Sequence, residues 1–75
     1  MEKFIGEITK TANVKTIIRL TEFKGHELLD IRDHFKPRGS TTYSPTRKGI
    51  AIDKSKVSDI ITLLEQAEAE LASTK

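Results

Sequence analysis

Cysteine is absent from the 75 residues, so neither a disulfide framework nor a thiolate metal site can hold this fold, and burial and assembly must do so. No apolar run approaches the roughly 18 residues of a membrane span. The opening Met1-Glu2-Lys3-Phe4-Ile5-Gly6-Glu7 lacks the apolar stretch of a secretory signal. An intracellular protein with no membrane partner is expected. An excess of one charge is missing too: 13 Lys and Arg stand against 11 Asp and Glu, a net of +2, which by itself does not argue for a nucleic-acid partner. No P-loop, dinucleotide glycine motif or zinc spacing occurs. Asp30, Asp33, His26 and His34 are the one set imaginable as a hard-metal or general-base cluster, but strand alternation sends Asp30 and Asp33 to opposite faces. Neither catalysis, cofactor nor metal is expected.

A chain this short is a single domain, residues 1–75, and buries only about 60% of its unfolded surface as a monomer. A homodimer is expected on that ground. The charge is unevenly placed: residues 1–52 hold ten basic against six acidic side chains, and residues 53–75 hold three against five. The basic surface therefore belongs to the first part of the chain.

The most informative stretch is 17–35, Ile-Ile-Arg-Leu-Thr-Glu-Phe-Lys-Gly-His-Glu-Leu-Leu-Asp-Ile-Arg-Asp-His-Phe, which reads as two strands folded about Lys24-Gly25. With a two-residue or a four-residue loop, every cross-strand pair has numbers adding to 49, so the register does not depend on the loop length. One face then carries Leu20/Leu29 and Ile18/Ile31, the expected core face. The other carries Phe23/His26, Thr21/Leu28, Arg19/Asp30 and Ile17/Arg32. That second set mixes rings and arginines with aliphatic groups. It suits either a face that touches a partner or a half-solvated face with an Arg19–Asp30 ion pair.

Around this hairpin, Phe4–Lys10 reads as a short first strand, and Val14, Thr16, Ile18 and Leu20 continue the core face of the second. Residues 36–46 contain both prolines, a glycine and five Ser or Thr in a row of loop-forming types. They form a loop or ragged strand edge that serves as a solvated connector or as a mobile groove wall offering Lys36, Arg38 and Tyr43. Arg47–Ile52 reads as a fourth strand with Ile50 and Ile52 inward. Lys48 then lies past the sheet edge, or a bulge at Gly49 turns it outward. Asp53 is a good N-cap for an amphipathic helix over residues 54 to about 73 carrying Val57, Ile60, Ile61, Leu64, Ala67 and Leu71. That apolar stripe outruns the sheet, so Val57, Ile60, Ile61, Leu64 and Leu71 are the expected dimer interface.

Single strands of nucleic acid are held by cations that follow phosphates and by rings on which bases stack. Phe23 beside Lys24, Arg32 on the same face, Phe35 beside Lys36, and Arg47-Lys48 supply both. Parity places Phe35 with Leu29 and Ile31, so core and groove positions both stay open for its ring. A different kind of reading is an adaptor that docks a polymerase or repair enzyme.

The ordered set Phe23-Lys24-Gly25, Leu29-Asp30-Ile31-Arg32, a variable loop, Pro45-Thr46-Arg47-Lys48-Gly49-Ile50 and an acid-capped amphipathic helix resembles the transcriptional coactivator family of positive cofactor four, over about residues 17–66. The resemblance implies an α+β fold in which a curved four-stranded antiparallel sheet precedes one helix (ββββα). It further implies a homodimer that binds single-stranded or unwound DNA with little sequence preference. RNA and the proteins of transcription, replication, recombination or repair are partners compatible with it. DNA contacts are implied at Phe23, Lys24, His26, Arg32, Phe35, Arg47 and Lys48. His26 and Ser44 stand where the family usually has lysines, Thr21 replaces a basic residue and Phe35 a tryptophan, which implies weaker and more pH-sensitive binding. Without a long regulatory tail, the chain fits a bacterial or phage member.

Overall fold

The structure, a computed structural model, describes residues 2–73. Four strands form, β1 (Lys3–Thr9), β2 (Val14–Phe23), β3 (His26–Phe35) and β4 (Ser44–Asp53), followed by one 3₁₀ turn (Lys54–Lys56) and the helix α1 (Val57–Ala72). They make a single antiparallel sheet in the order β1-β2-β3-β4. The central hairpin has the expected register throughout, from Phe23↔His26 to Val14↔Phe35. Lys24 (φ 51°) and Gly25 (φ 82°) are both left-handed, as a type I′ turn demands to match the strand twist. Glycine takes that conformation freely, whereas lysine is held in it by the strands on either side.

Two irregularities bend the sheet. β1 slips one residue between Phe4 and Gly6. β4 carries a larger bulge: Arg32 faces Gly49 while His34 faces Pro45, so Thr46, Arg47 and Lys48 stand opposite Asp33 alone. The bulge falls at Thr46–Lys48 rather than at the expected Gly49, which keeps its pairing with Arg32. β4 begins at Ser44 and thus takes in Pro45, which an edge strand tolerates because one of its sides makes no ladder. A tight turn over Pro37–Ser40, with Gly39 at φ 84° and Ser40 N–H donating to the Pro37 carbonyl at 3.0 Å, closes the loop before it.

The expected helix start moves. Asp53 does cap, but it caps the 3₁₀ turn, accepting from Ser55 N–H at 3.0 Å and from the Ser55 hydroxyl at 2.7 Å, and α1 begins only at Val57. The expected core face is only half covered. Among the described residues Ile52 is the buried apolar one, Ile18, Leu20, Leu29 and Ile31 are half-buried, and Ile50 is largely exposed. The reason is the helix direction. Val57 shares a crevice with Leu20, Leu28 and Leu29, and beyond Ile60 the helix residues are exposed. Ile61, Leu63, Leu64 and Leu71 carry its apolar stripe into solvent. The chain is a slab of 41 × 40 × 18 Å. Its 6061 Å² of accessible surface compares with about 4,600 Å² for a compact monomer of this length.

Candidate nucleic-acid interface

At the end of the sheet far from the helix, the β1–β2 turn, the end of β3 and the bulge of β4 enclose an open cleft of about 480 Å³. Its floor is Phe35, 43% exposed, with Val14, the residue paired to it across the hairpin. Cations rim it: Arg47 and Lys48 from the bulge and Lys10 from the turn. Phe35 thus follows its parity to the face of Leu29 and Ile31, but the sheet lacks cover at this end, so the core side there is itself the groove. Lys10 is the member that sequence reasoning missed. It follows the first strand directly, and only the β1–β2 pairing brings it beside β3.

One carboxylate also lies on the wall. Asp33 accepts from Lys10 Nζ at 2.9 Å and from the Thr16 hydroxyl at 2.8 Å. Those two hydrogen bonds, the lysine's first, hold its carboxyl below the usual aspartate range. The bulge is fastened by side chains rather than by ladder bonds. Thr46 Oγ1 donates to the Asp33 carbonyl at 2.9 Å and accepts from Lys48 N–H at 3.2 Å, and Arg32 Nη1 donates to the Thr46 carbonyl at 2.9 Å. Gly49 completes it: a Cβ there would lie 2.5 Å from the Ile31 carbonyl oxygen and 2.7 Å from Arg32 Cα, so only glycine allows β4 this close to β3.

The other candidate ring is at the opposite end of the hairpin. Phe23 is 61% exposed, with Lys24 Nζ 5.3 Å from its centroid, and His26 beside it places Nδ1 4.0 Å from an Asp53 carboxylate oxygen. Phe23 and Phe35 are therefore on opposite faces by alternation, and roughly 30 Å apart at 3.3 Å per residue along β3. The tip group and the cleft group cannot share one nucleotide.

Between them Arg32 faces away from the cleft. Its Nε and Nη2 donate to Asp30 at 3.1 to 3.3 Å. Asp30 is 4% exposed, and the cross-strand partner read from the sequence, Arg19, places Nε 3.6 Å from it. This second face is thus half-closed and polar inside. His34, 6% exposed, lies here with no hydrogen bond to Nε2, and Arg19 Nε, though ion-paired with Asp30, likewise makes none. Burial first, and then the nearby Arg19 charge, push the His34 pKa down. Lys36 of the loop and Lys15 of β2 place their ammonium groups 5.4 and 4.7 Å from the Tyr43 ring centre, and the Tyr43 hydroxyl donates to the Ala12 carbonyl at 3.3 Å. Tyr43 is thus a strut that ties the loop to the β1–β2 turn. Arg38 is exposed at the Pro37–Ser40 turn.

Among the described residues no His, Cys, Asp and Glu side chains gather in a group that could hold a metal ion, and no helix is long and apolar enough to cross a membrane. The family model described as Transcriptional Coactivator p15 (PC4) matches residues 10–63. The fold is also that of a PC4 homolog from Burkholderia pseudomallei. Its tetragonal crystal form is 26% identical with a TM-score of 0.80, covering 91% of this chain and 98% of that one. The orthorhombic form is 27% identical with a TM-score of 0.79, covering 88% of each. No curated protein matches.

Proposed function

Because this chain belongs to the transcriptional coactivator p15 (PC4) family, we propose that it binds single-stranded or unwound DNA, with little sequence preference and no catalysis, as a single-domain intracellular homodimer. The observation that carries this is the cleft: an exposed ring, Phe35, on a floor rimmed by Lys10, Arg47 and Lys48. A base stacks on the ring while the cations meet the phosphates on either side. Phe23, Lys24 and His26 form a second contact at the hairpin tip, and Lys36 and Arg38 extend the cationic rim along the loop. The same chemistry admits single-stranded RNA.

Surface area supports the dimer. The excess over a compact monomer, on the order of 1,400 Å² against the exposed 6061 Å², exceeds the roughly 800 Å² per partner of a standard interface. Val57, Ile60, Ile61, Leu64 and Leu71 supply its apolar part, and Leu63, 60% exposed, joins them. A two-fold axis lets this one stripe cover itself, and it leaves two clefts per dimer.

The test is binding of a fluorescent single-stranded oligonucleotide across a salt series. Log affinity is expected to fall with log salt at a slope of roughly 0.7 per phosphate contacted. A flat response, or retention of protein partners with none of the oligonucleotide, sinks the proposal in favour of an adaptor role.

A further inference from the structure

The most buried charge among the described residues, Asp30, touches none of the groups that the cleft offers to a ligand. Its carboxylate lies on the opposite face of the sheet, 4% exposed, and is the anchor for Arg32. Three hydrogen bonds of 3.1 to 3.3 Å from Nε and Nη2 fix the guanidinium plane. That leaves Nη1 aimed at the Thr46 carbonyl, 2.9 Å away. Thr46 opens the bulge and its hydroxyl bridges the Asp33 carbonyl to Lys48 N–H. In this stretch the β3–β4 ladder is interrupted, since Thr46, Arg47 and Lys48 face only Asp33. The Arg32 bond therefore does across the gap what ladder bonds do elsewhere.

We infer that Asp30 is a positioning residue of the nucleic-acid cleft, acting through the Arg32 guanidinium and the Thr46 carbonyl to hold Arg47 and Lys48 at the rim. This rests on the proposed binding of single strands and adds to it a residue that no nucleotide touches. A planar fork is needed for the task, because one end must grip a carboxylate while the other reaches a carbonyl, and a lysine ammonium can serve only one of them. Gly49 belongs to the same device, as its missing side chain lets β4 lie directly against Arg32.

The sign of the effect separates this role from simple electrostatics. Asp30→Asn removes a negative charge from a protein that binds a polyanion, so charge alone makes binding tighter. Positioning makes it weaker. The measurement is affinity for a single-stranded oligonucleotide against salt, on protein shown to be folded by circular dichroism, for wild type, Asp30→Asn, Arg47→Ala/Lys48→Ala and the triple variant. Asp30→Asn is expected to weaken binding about fivefold or more and to lower the salt slope by roughly 0.7 for each rim cation released. In the Arg47→Ala/Lys48→Ala background it is expected to change nothing further. If Asp30→Asn does not fold, Arg32→Lys reports the same link, weakening binding although the charge is kept. The inference is overturned if folded Asp30→Asn binds as tightly as wild type or tighter, if its effect persists undiminished without the rim cations, or if Arg32→Lys binds like wild type. A flat wild-type salt response instead removes the nucleic-acid reading itself, and this inference with it.

Discussion

Asp30 and Asp33 stand on one strand with opposite surroundings: Asp30 is sealed on one face under Arg32, and Asp33 lies on the cleft wall with Lys10 Nζ 2.9 Å from its carboxylate. The alternation of β3 makes one an internal anchor and the other a competitor for the ligand's cation. Asp33→Asn frees Lys10 for phosphate and removes a negative charge from the wall. It is therefore expected to tighten single-strand binding at low salt and to steepen the salt slope by roughly 0.7. Unchanged affinity and slope in a salt titration of the folded variant would show that Lys10 plays no part in binding.

The two rings make a second, separable test. Phe35→Ala and Phe23→Ala are each expected to cost about 1 to 3 kcal/mol of binding to a long single strand, and the losses are expected to add because the rings are far apart. An oligonucleotide only long enough to fill the cleft should respond to Phe35→Ala alone. Equal losses from both variants on that short ligand would place the rings in one site, against the geometry.

The two histidines are expected to report on different quantities. Folding holds the His34 pKa below its ordinary value of about 6.5, chiefly by burial. An unfolded chain therefore takes up a proton that the folded one refuses. Stability from this residue is complete above about pH 6.5 and is lost as the pH falls from there through the depressed native value. Melting temperature should thus decline from pH 7 to 5, less so in His34→Gln. The imidazole of His26, with a side chain 72% exposed, should instead act on binding: affinity is expected to rise as the pH is lowered from 8 to 6, and His26→Ala to abolish that rise. A pH response of affinity that survives His26→Ala excludes it as a contact.

Lys24 occupies a left-handed position that favours asparagine or glycine. Lys24→Asn should stabilise the fold by roughly 0.5 to 1 kcal/mol in chemical denaturation and weaken single-strand binding at the same time. A gain in stability with no loss of affinity would leave Lys24 out of the interface; no gain would mean that the turn carries no strain.

Ile61→Asp and Leu64→Asp place a charge on the exposed stripe of α1. Each is expected to yield monomers or unfolded chains in sedimentation, and to remove the advantage of an oligonucleotide long enough to span two clefts over one that fills a single cleft. A folded, dimeric Leu64→Asp protein would move the interface away from the helix.

Much of this was legible in the residues. The hairpin register could be read because alternation and the Lys24-Gly25 turn constrain each other, and a slip of one residue would have reversed both faces. The fourth strand and the amphipathic helix were likewise visible in Ile50, Ile52 and the spacing from Val57 to Leu71. The cleft was not. Arg47 and Lys48 gave the cations, but the bulge that turns them to one side depends on Arg32 and Thr46, partners far apart in sequence. Asp30 was legible as the cross-strand partner of Arg19, a pairing the structure has at 3.6 Å. Its burial was not, because Arg32, two residues along the same strand, also closes over it. The helix start was misread by one turn because Asp53 is a good cap for either kind of helix.

The strand order also fixes a sequence of events in time. Each strand pairs with its chain neighbour, so the sheet can zip outward from Lys24-Gly25 with only short loops to close, the situation in which chains organise within microseconds to milliseconds. On the proposed dimer, the slow step is the encounter of two such sheets, because Ile61, Leu63, Leu64 and Leu71 of α1 are exposed in the single chain. Recovery from denaturant should then slow in proportion as the protein is diluted, and dilution alone should lower the melting temperature.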